Sequence, residues 1–264
     1  VKAAIVITGY LPYFRETYSN IFNRIFSQFE EYDVFLSTWN LSEIDEQDFK
    51  NLYNPVIIDN EIFSDTTKYT LKDNFKYLQS IPEHTSYGSS PHSIAMWYKL
   101  NRAFNIVEEY SSENNTHYDL ILRLRTDFFY QNSISQEEIN KCLNGLITVG
   151  VHCGDDIGML NNGHAGDNFL MFKFDYLEFF KSLYFNFFKI WTQYHCYTPE
   201  HVLYSYLKDA NCSFSQTSLR FVRIFEEKLL SWNINNQECV FNSMELLNIE
   251  NEFYIDENYD INIS

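Results

Sequence analysis

The chain has 264 residues, 45% of them hydrophobic and 21% charged, a globular composition long enough for one large domain or two small ones. Its formal net charge of -17, from 19 basic and 36 acidic side chains, repels phosphate backbones and anionic membranes at long range. A nucleic-acid partner is therefore not expected, and an anionic substrate has to be met locally, by a few arginines or a metal ion.

Ala3–Thr8 is a continuous apolar run ending in Gly9 and reads as a buried parallel strand. Tyr13–Phe29 carries apolar residues at close to helical spacing. Asp33–Thr38 and Pro55–Asp59 are two further strands, separated by a variable stretch. Glu61–Pro91 is polar, lacks a clear period and contains Pro82, Gly88, Ser89 and Ser90, so a surface loop with some helix is expected. Ser93–Tyr110 is an amphipathic helix, with Ser90 or Ser93 as its N-cap. Tyr118–Tyr130 reads as one strand, interrupted by Arg123, Arg125 and Asp127. A short helix over Gln136–Cys142 and a strand over Gly145–Val151 follow, then a Gly-, Asp- and Asn-rich loop over His152–Gly166. Regular structure resumes at Asp167–Phe174, followed by an aromatic helix over Tyr176–Tyr194 and a helix over Pro199–Ala210. Ser213–Phe225 looks strand-rich, and Val240–Ser264 reads as a loose acidic tail. This order implies an α/β layer fold, and without repeats or a composition shift the chain reads as a single domain.

Five cysteines (Cys142, Cys153, Cys196, Cys212, Cys239) include no CxxC pair, so free thiols are expected rather than a structural zinc site. The first residues lack the extended apolar region of a signal peptide, and no stretch reaches the roughly 20 apolar residues that span a bilayer. No transmembrane segment and a cytoplasmic location are the expectation. The aromatic helix carries only Lys181 and Lys189, which favours core packing or a homodimer interface over a membrane surface.

The chemistry concentrates at Arg123-Leu-Arg125-Thr-Asp127. A strand apolar enough to be central carries such charges where its end opens into a cleft, and in open α/β sheets ligands bind outside the carboxyl ends of the strands. Guanidinium groups match phosphate oxygens bidentately, and a carboxylate there can hold Mg²⁺ or Mn²⁺ bridging a diphosphate. The competing reading is an internal Arg–Asp salt bridge that pins the strand end. At Thr8-Gly9-Tyr10, Gly9 permits close backbone approach and the helix that follows favours anions, with Arg15 near its start; an ordinary βα turn is the alternative. Tyr10 or Tyr13 could stack on a base. Asp155 and Asp156 could supply further metal ligands. Asp167 reads either as a helix cap or as a general base, and Glu200, behind Thr198-Pro199, as a second choice for the base.

The segment Tyr118-Asp-x-Ile-x-Arg123-x-Arg125-x-Asp127 resembles one found in bacterial and viral GT-A-type glycosyltransferases of polysaccharide and lipopolysaccharide biosynthesis. Ala4–Tyr13, Val34–Trp39, Gly166–Phe169 and Pro199-Glu200 resemble further pieces of that group in the same order. The resemblance implies a GT-A-like, mainly parallel central sheet flanked by helices. It also implies a nucleotide-sugar donor, a glycan or glycolipid acceptor, and a divalent cation (Mn²⁺ or Mg²⁺) held by Asp127 in place of a DxD motif. Arg125 stands where the first Asp of that motif would be. On this reading Thr8, Gly9, Tyr10, Arg15, Arg123 and Arg125 face the donor, and Asp167 or Glu200 is the base. The rival readings are a sugar-phosphate nucleotidyltransferase and a non-catalytic glycan-binding protein.

Overall fold

In the computed structural model the described residues are 1–64, 91–150, 163–194, 198–225, 228–233 and 238–243. Strands β1 (Lys2–Gly9), β2 (Glu31–Trp39), β3 (Ile57–Glu61) and β4 (Leu120–Leu124) run parallel. Beside β4 lies β7 (Gly166–Lys173), antiparallel, followed by β6 (Ile147–Gly150) and β8 (Phe214–Gln216). The seven make one sheet in the order β3-β2-β1-β4-β7-β6-β8, in which β7 alone opposes the rest. The architecture is thus α/β with a mostly parallel central sheet between helices.

Both faces of the sheet are covered, which is why β1 is apolar without alternation: Ala3 through Ile7 are all fully buried. On one face Ala4, Val6, Phe35 and Ile121 pack with helices α3 (Pro91–Glu113), α5 (Leu177–Tyr194) and α6 (Pro199–Asp209). On the other, Ile5, Ile7, Leu36 and Leu122 pack with α1 (Phe14–Arg24), α2 (Glu43–Tyr53) and α4 (Gln136–Leu143). Each Val, Leu, Ile or Phe so buried is worth about 1.5–3 kcal/mol. The aromatic helix α5 spends Phe180, Leu183, Tyr184 and Phe187 on this core, as expected, and leaves Phe185 exposed. Among the described residues no helix is long and apolar enough to cross a membrane.

Three elements differ from the sequence reading. The variable stretch before β3 contains α2, which Ser42 starts by accepting a hydrogen bond from the Asp45 backbone at 3.1 Å, with Glu43, Asp45 and Glu46 in the first turn. The strand expected over Tyr118–Tyr130 is two strands. After Leu124 the chain leaves the large sheet, turns through Arg125–Asp127, and enters a second, antiparallel sheet as β5 (Phe128–Tyr130). That sheet continues through β9 (Phe221–Phe225), β10 (Lys228–Asn233) and β11 (Glu238–Ser243). Regular structure therefore runs into the stretch expected to be a loose tail; residues 244–264 lie outside the described residues. So do most of the loop expected over Glu61–Pro91 and of that over His152–Gly166.

A buried charge cluster ties α3 to the edge of the sheet. The fully buried Lys99 Nζ donates to Asp59 at 3.0 Å and Glu61 at 2.6 Å and sits 4.3 Å from the Trp39 ring centre. Arg102 and the Ser37 hydroxyl also donate to Asp59. Burial pushes the Asp59 carboxyl up, but the hydrogen bonds from Arg102, Ser37 and Lys99 outweigh it and hold the group down at about 2. A depressed carboxylate stabilises the fold above its unfolded value of 3.8, and that contribution is lost as pH falls toward 2. Asp59→Asn should therefore lower the melting temperature at pH 7. The gap to the parent should close between about pH 4 and pH 2, read by thermal denaturation across that range.

Candidate active site

The carboxyl ends of β1, β2 and β4 open at the same edge of the sheet. Gly9 ends β1 with φ +91°, a conformation that suits glycine, and Tyr13 enters α1 with φ +62°. The loop between them is sewn to the turn after β4. The Thr126 hydroxyl donates to the Pro12 carbonyl at 3.1 Å, and the buried Thr17 hydroxyl donates to the Thr126 carbonyl at 3.0 Å. Asn20 of α1 exchanges two hydrogen bonds with the Tyr130 backbone and fixes β5 to the same helix. The first loop and the Arg125–Asp127 turn thus form one rigid floor.

Arg123 lies within this floor at 1% exposure. In the sheet it pairs with Val6 on one side and Leu170 on the other, and it shares its face with Thr8. Its Nε donates to the Thr8 hydroxyl at 3.4 Å, a long contact, and its Nη1 has no hydrogen-bond partner among the described residues. Burial pushes the guanidinium down to about 10, against the pull of the Asp167 carboxylate; Arg125 adds to the lowering and Asp127 opposes it. It stays protonated at neutral pH. A buried cation with an unmet donor is costly, and such a group is retained where something else completes it.

Asp127, 3% exposed, accepts from Arg125 Nε at 2.8 Å and Nη2 at 2.5 Å, and from Arg223 Nε at 3.1 Å. Its backbone carbonyl accepts from Ile224, so β9 of the small sheet delivers Arg223 to the end of β4 of the large one. The sequence reading does not single out Arg223, although Phe221-Val-Arg-Ile-Phe225 shows the same signal as β4, an arginine inside an apolar strand. Three of the seven arginines of the chain meet here. Among the described residues they outnumber the nearby carboxylates of Asp127 and Asp167, in a protein of net charge -17.

The divalent cation expected at Asp127 does not fit these residues. Both carboxylate oxygens already accept guanidinium N–H bonds, and Arg123 stands close by. Among the described residues there is no group of three His, Cys, Asp or Glu side chains that could hold a metal ion. Asp155 and Asp156 lie outside the described residues.

The other expected site residues fall in different places. Asp167, half-buried, is the second residue of strand β7, so the helix-cap reading is overturned; its carboxylate is the acid that acts most on Arg123. Glu200 is the second residue of α6, where Thr198 caps the helix by accepting from the His201 backbone at 3.3 Å. The Glu200 carbonyl accepts from Ala165 at 3.1 Å, which ties the start of α6 to the entry of β7, and the His164 and His201 rings meet there, 3.6 Å between centres. Thr8 and Gly9 lie in the floor, and Tyr10 projects from it at 75% exposure. Arg15 is directed elsewhere: it pairs with Asp45 and Asp48 of α2, both at 2.6 Å, on the surface.

No family model matches the sequence, and no curated protein matches it significantly. Solved structures of similar chain path include mouse xyloside xylosyltransferase 1 in its apo form, at 10% identity and a TM-score of 0.46, covering 82% of this chain and 85% of that one. Core-mannan synthase A of Aspergillus fumigatus in a Mn/GDP form has 10% identity and a TM-score of 0.46, with 83% and 74% covered. A putative glucose-1-phosphate thymidylyltransferase from Bacillus anthracis, in complex with a sucrose, has 10% identity and a TM-score of 0.46, with 84% and 89% covered. Likenesses this remote say nothing of the chemistry.

Replacing a buried, incompletely paired ion by an apolar side chain of similar length is commonly stabilising. Arg123→Met should raise the melting temperature of the ligand-free protein by roughly 2–8 °C, from about 1–2 kcal/mol at about 2–4 °C per kcal/mol. A lower melting temperature by differential scanning calorimetry would show instead that Arg123 is a structural pin.

Proposed function

We propose that this chain is a glycosyltransferase that moves a sugar from a nucleotide-sugar donor to a hydroxyl of a glycan or glycolipid acceptor. The observation that carries this reading is the buried Arg123 guanidinium, whose Nη1 donor is unmet among the described residues, at the carboxyl end of the central strands. A protein of such negative charge that concentrates three arginines at one sheet edge has an anionic ligand to hold there. A diphosphate suits the arrangement because guanidiniums pair with phosphate oxygens in a planar, bidentate way. The resemblance of Tyr118–Asp127 and the ordered pieces around it to GT-A-type enzymes supplies the sugar.

In the reaction, the bond between the sugar anomeric carbon and the distal phosphate oxygen breaks. The electron pair leaves on the nucleoside diphosphate, and the acceptor oxygen bonds to the anomeric carbon and loses its proton. Charge develops on the departing phosphate, where Arg123 is preorganised to receive it without solvent reorganisation. Asp167 is assigned as the group that takes the acceptor proton, since it lies near the start of β7 within electrostatic reach of Arg123. Tyr10, exposed at the lip of the first loop, is assigned the role of covering the base.

Thermal-shift measurement against nucleoside diphosphates tests the reading. One of them should raise the melting temperature, and the matching nucleotide sugars should lose their sugar in the presence of glycan acceptors. Asp167→Asn should lower kcat by roughly 10²–10⁴-fold and leave nucleotide affinity unchanged. Release of pyrophosphate from a nucleoside triphosphate and a sugar phosphate would identify a nucleotidyltransferase instead. Binding of glycans without any nucleotide response would identify a non-catalytic binder.

A further inference from the structure

In nucleotide-sugar transfer a divalent cation chiefly stabilises the negative charge that gathers on the leaving diphosphate. The site described above is built to oppose such a cation. Asp127, the carboxylate in the expected position, is shared between Arg125 and Arg223, and Arg123 stands within electrostatic reach. A metal ion there would compete with three charge-assisted hydrogen bonds to Asp127 and would sit beside the buried Arg123 and the partly exposed Arg125 and Arg223, whose like charges oppose it. Resting on the nucleotide-sugar reading, we propose that Arg123, Arg125 and Arg223 take the place of the metal, and that this chain binds and turns over its donor without a divalent cation.

The geometry gives each residue a part. Arg123 comes from β4 and is buried, so its charge is little screened and its Nη1 donor is unmet by the described residues. Arg125 comes from the turn beyond that strand, and Arg223 from β9 of the other sheet, opposite Phe128. Asp127 holds these two in a fixed relation, its oxygens accepting from both, and acts as a positioning residue rather than a metal ligand. The local charge balance points the same way. Among the described residues three guanidiniums stand against the carboxylates of Asp127 and Asp167, a balance that favours a diphosphate over an added cation. Arg125, standing where a DxD motif has its first Asp, is then part of the replacement and not a defect of the motif. The step itself needs no other co-reactant. The carbon–oxygen bond to phosphate breaks, its electrons stay on the nucleoside diphosphate beside the guanidiniums, and the acceptor proton goes to a carboxylate.

The experiment is isothermal titration of the full chain with UDP, GDP, CDP and ADP, in EDTA and again with Mn²⁺ or Mg²⁺. Donor turnover is followed under the same conditions. One nucleoside diphosphate should bind in EDTA, with affinity and turnover within about threefold of the values in metal. Arg223→Gln should weaken that diphosphate by about tenfold or more in EDTA and leave the corresponding nucleoside unaffected, because only the phosphates meet the guanidinium. Binding or turnover that requires the metal overturns the cation-free proposal and leaves the nucleotide-sugar reading standing. Unchanged diphosphate affinity in Arg223→Gln overturns the role given to the arginines. Absence of nucleoside-diphosphate binding under both conditions overturns the nucleotide-sugar reading as well.

Discussion

Asp127 stands where the chain leaves one sheet and enters another, and its carboxylate binds Arg125 from the turn and Arg223 from the second sheet. This shared ion pair closes the seam between the two sheets. The hydrogen bond from Ile224 to the Asp127 carbonyl and the pairing of Phe128 with Arg223 hold the same seam through the backbone. At 3% exposure the carboxylate is poorly solvated, and only removal of both partners would leave it a buried charge without a counterion, a change that typically costs about 3–5 kcal/mol. The floor made by Gly9–Tyr13 and Thr126 depends on the turn being fixed in this way, and the placement of Arg123 depends on the floor.

The seam also explains why the protein tolerates Arg123. An apolar residue at that position would pack well between Val6 and Leu170, its neighbours in the sheet. Keeping a guanidinium there sacrifices stability at a point where α3, α5 and the central strands would otherwise be joined by continuous apolar contact. Active sites characteristically hold such locally unfavourable groups, secured by the structure around them. The Lys99 cluster is the instructive contrast. That side chain is just as buried, yet Asp59 and Glu61 both accept from it, and its role is to attach a helix to the sheet edge.

Much of this is legible in the residues. β1, β2 and β4 declare themselves as apolar runs because both their faces are covered, and α3 and α5 by helical spacing. Arg123 and Asp127 stand out because charge inside such a run needs a reason. What escapes is what local pattern does not encode. The apolar pattern resumes at Phe128, so Arg125-Thr-Asp127 reads as an interruption within one strand and not as a turn between two sheets. β7 is as apolar as its parallel neighbours, and its reversed direction is set by connections, not by composition. α2 is obscured because only Phe49 and Tyr53 of its residues are buried, while Ile44 faces solvent. Arg223 comes to Asp127 across 96 residues of chain, and Arg15, adjacent to the first loop in sequence, is drawn off by the acids of α2.

On the proposed function, the Arg123 Nη1 donor, unmet among the described residues, is completed by a phosphate oxygen of the nucleotide-sugar donor. A crystal structure of the chain with a bound nucleoside diphosphate, grown with EDTA, tests it most directly. The predicted result is a distal phosphate oxygen within about 3 Å of Arg123 Nη1, at the mouth of the Thr8–Gly9 loop. A diphosphate seated away from Arg123, or Nη1 satisfied by a group of the protein itself, would contradict it.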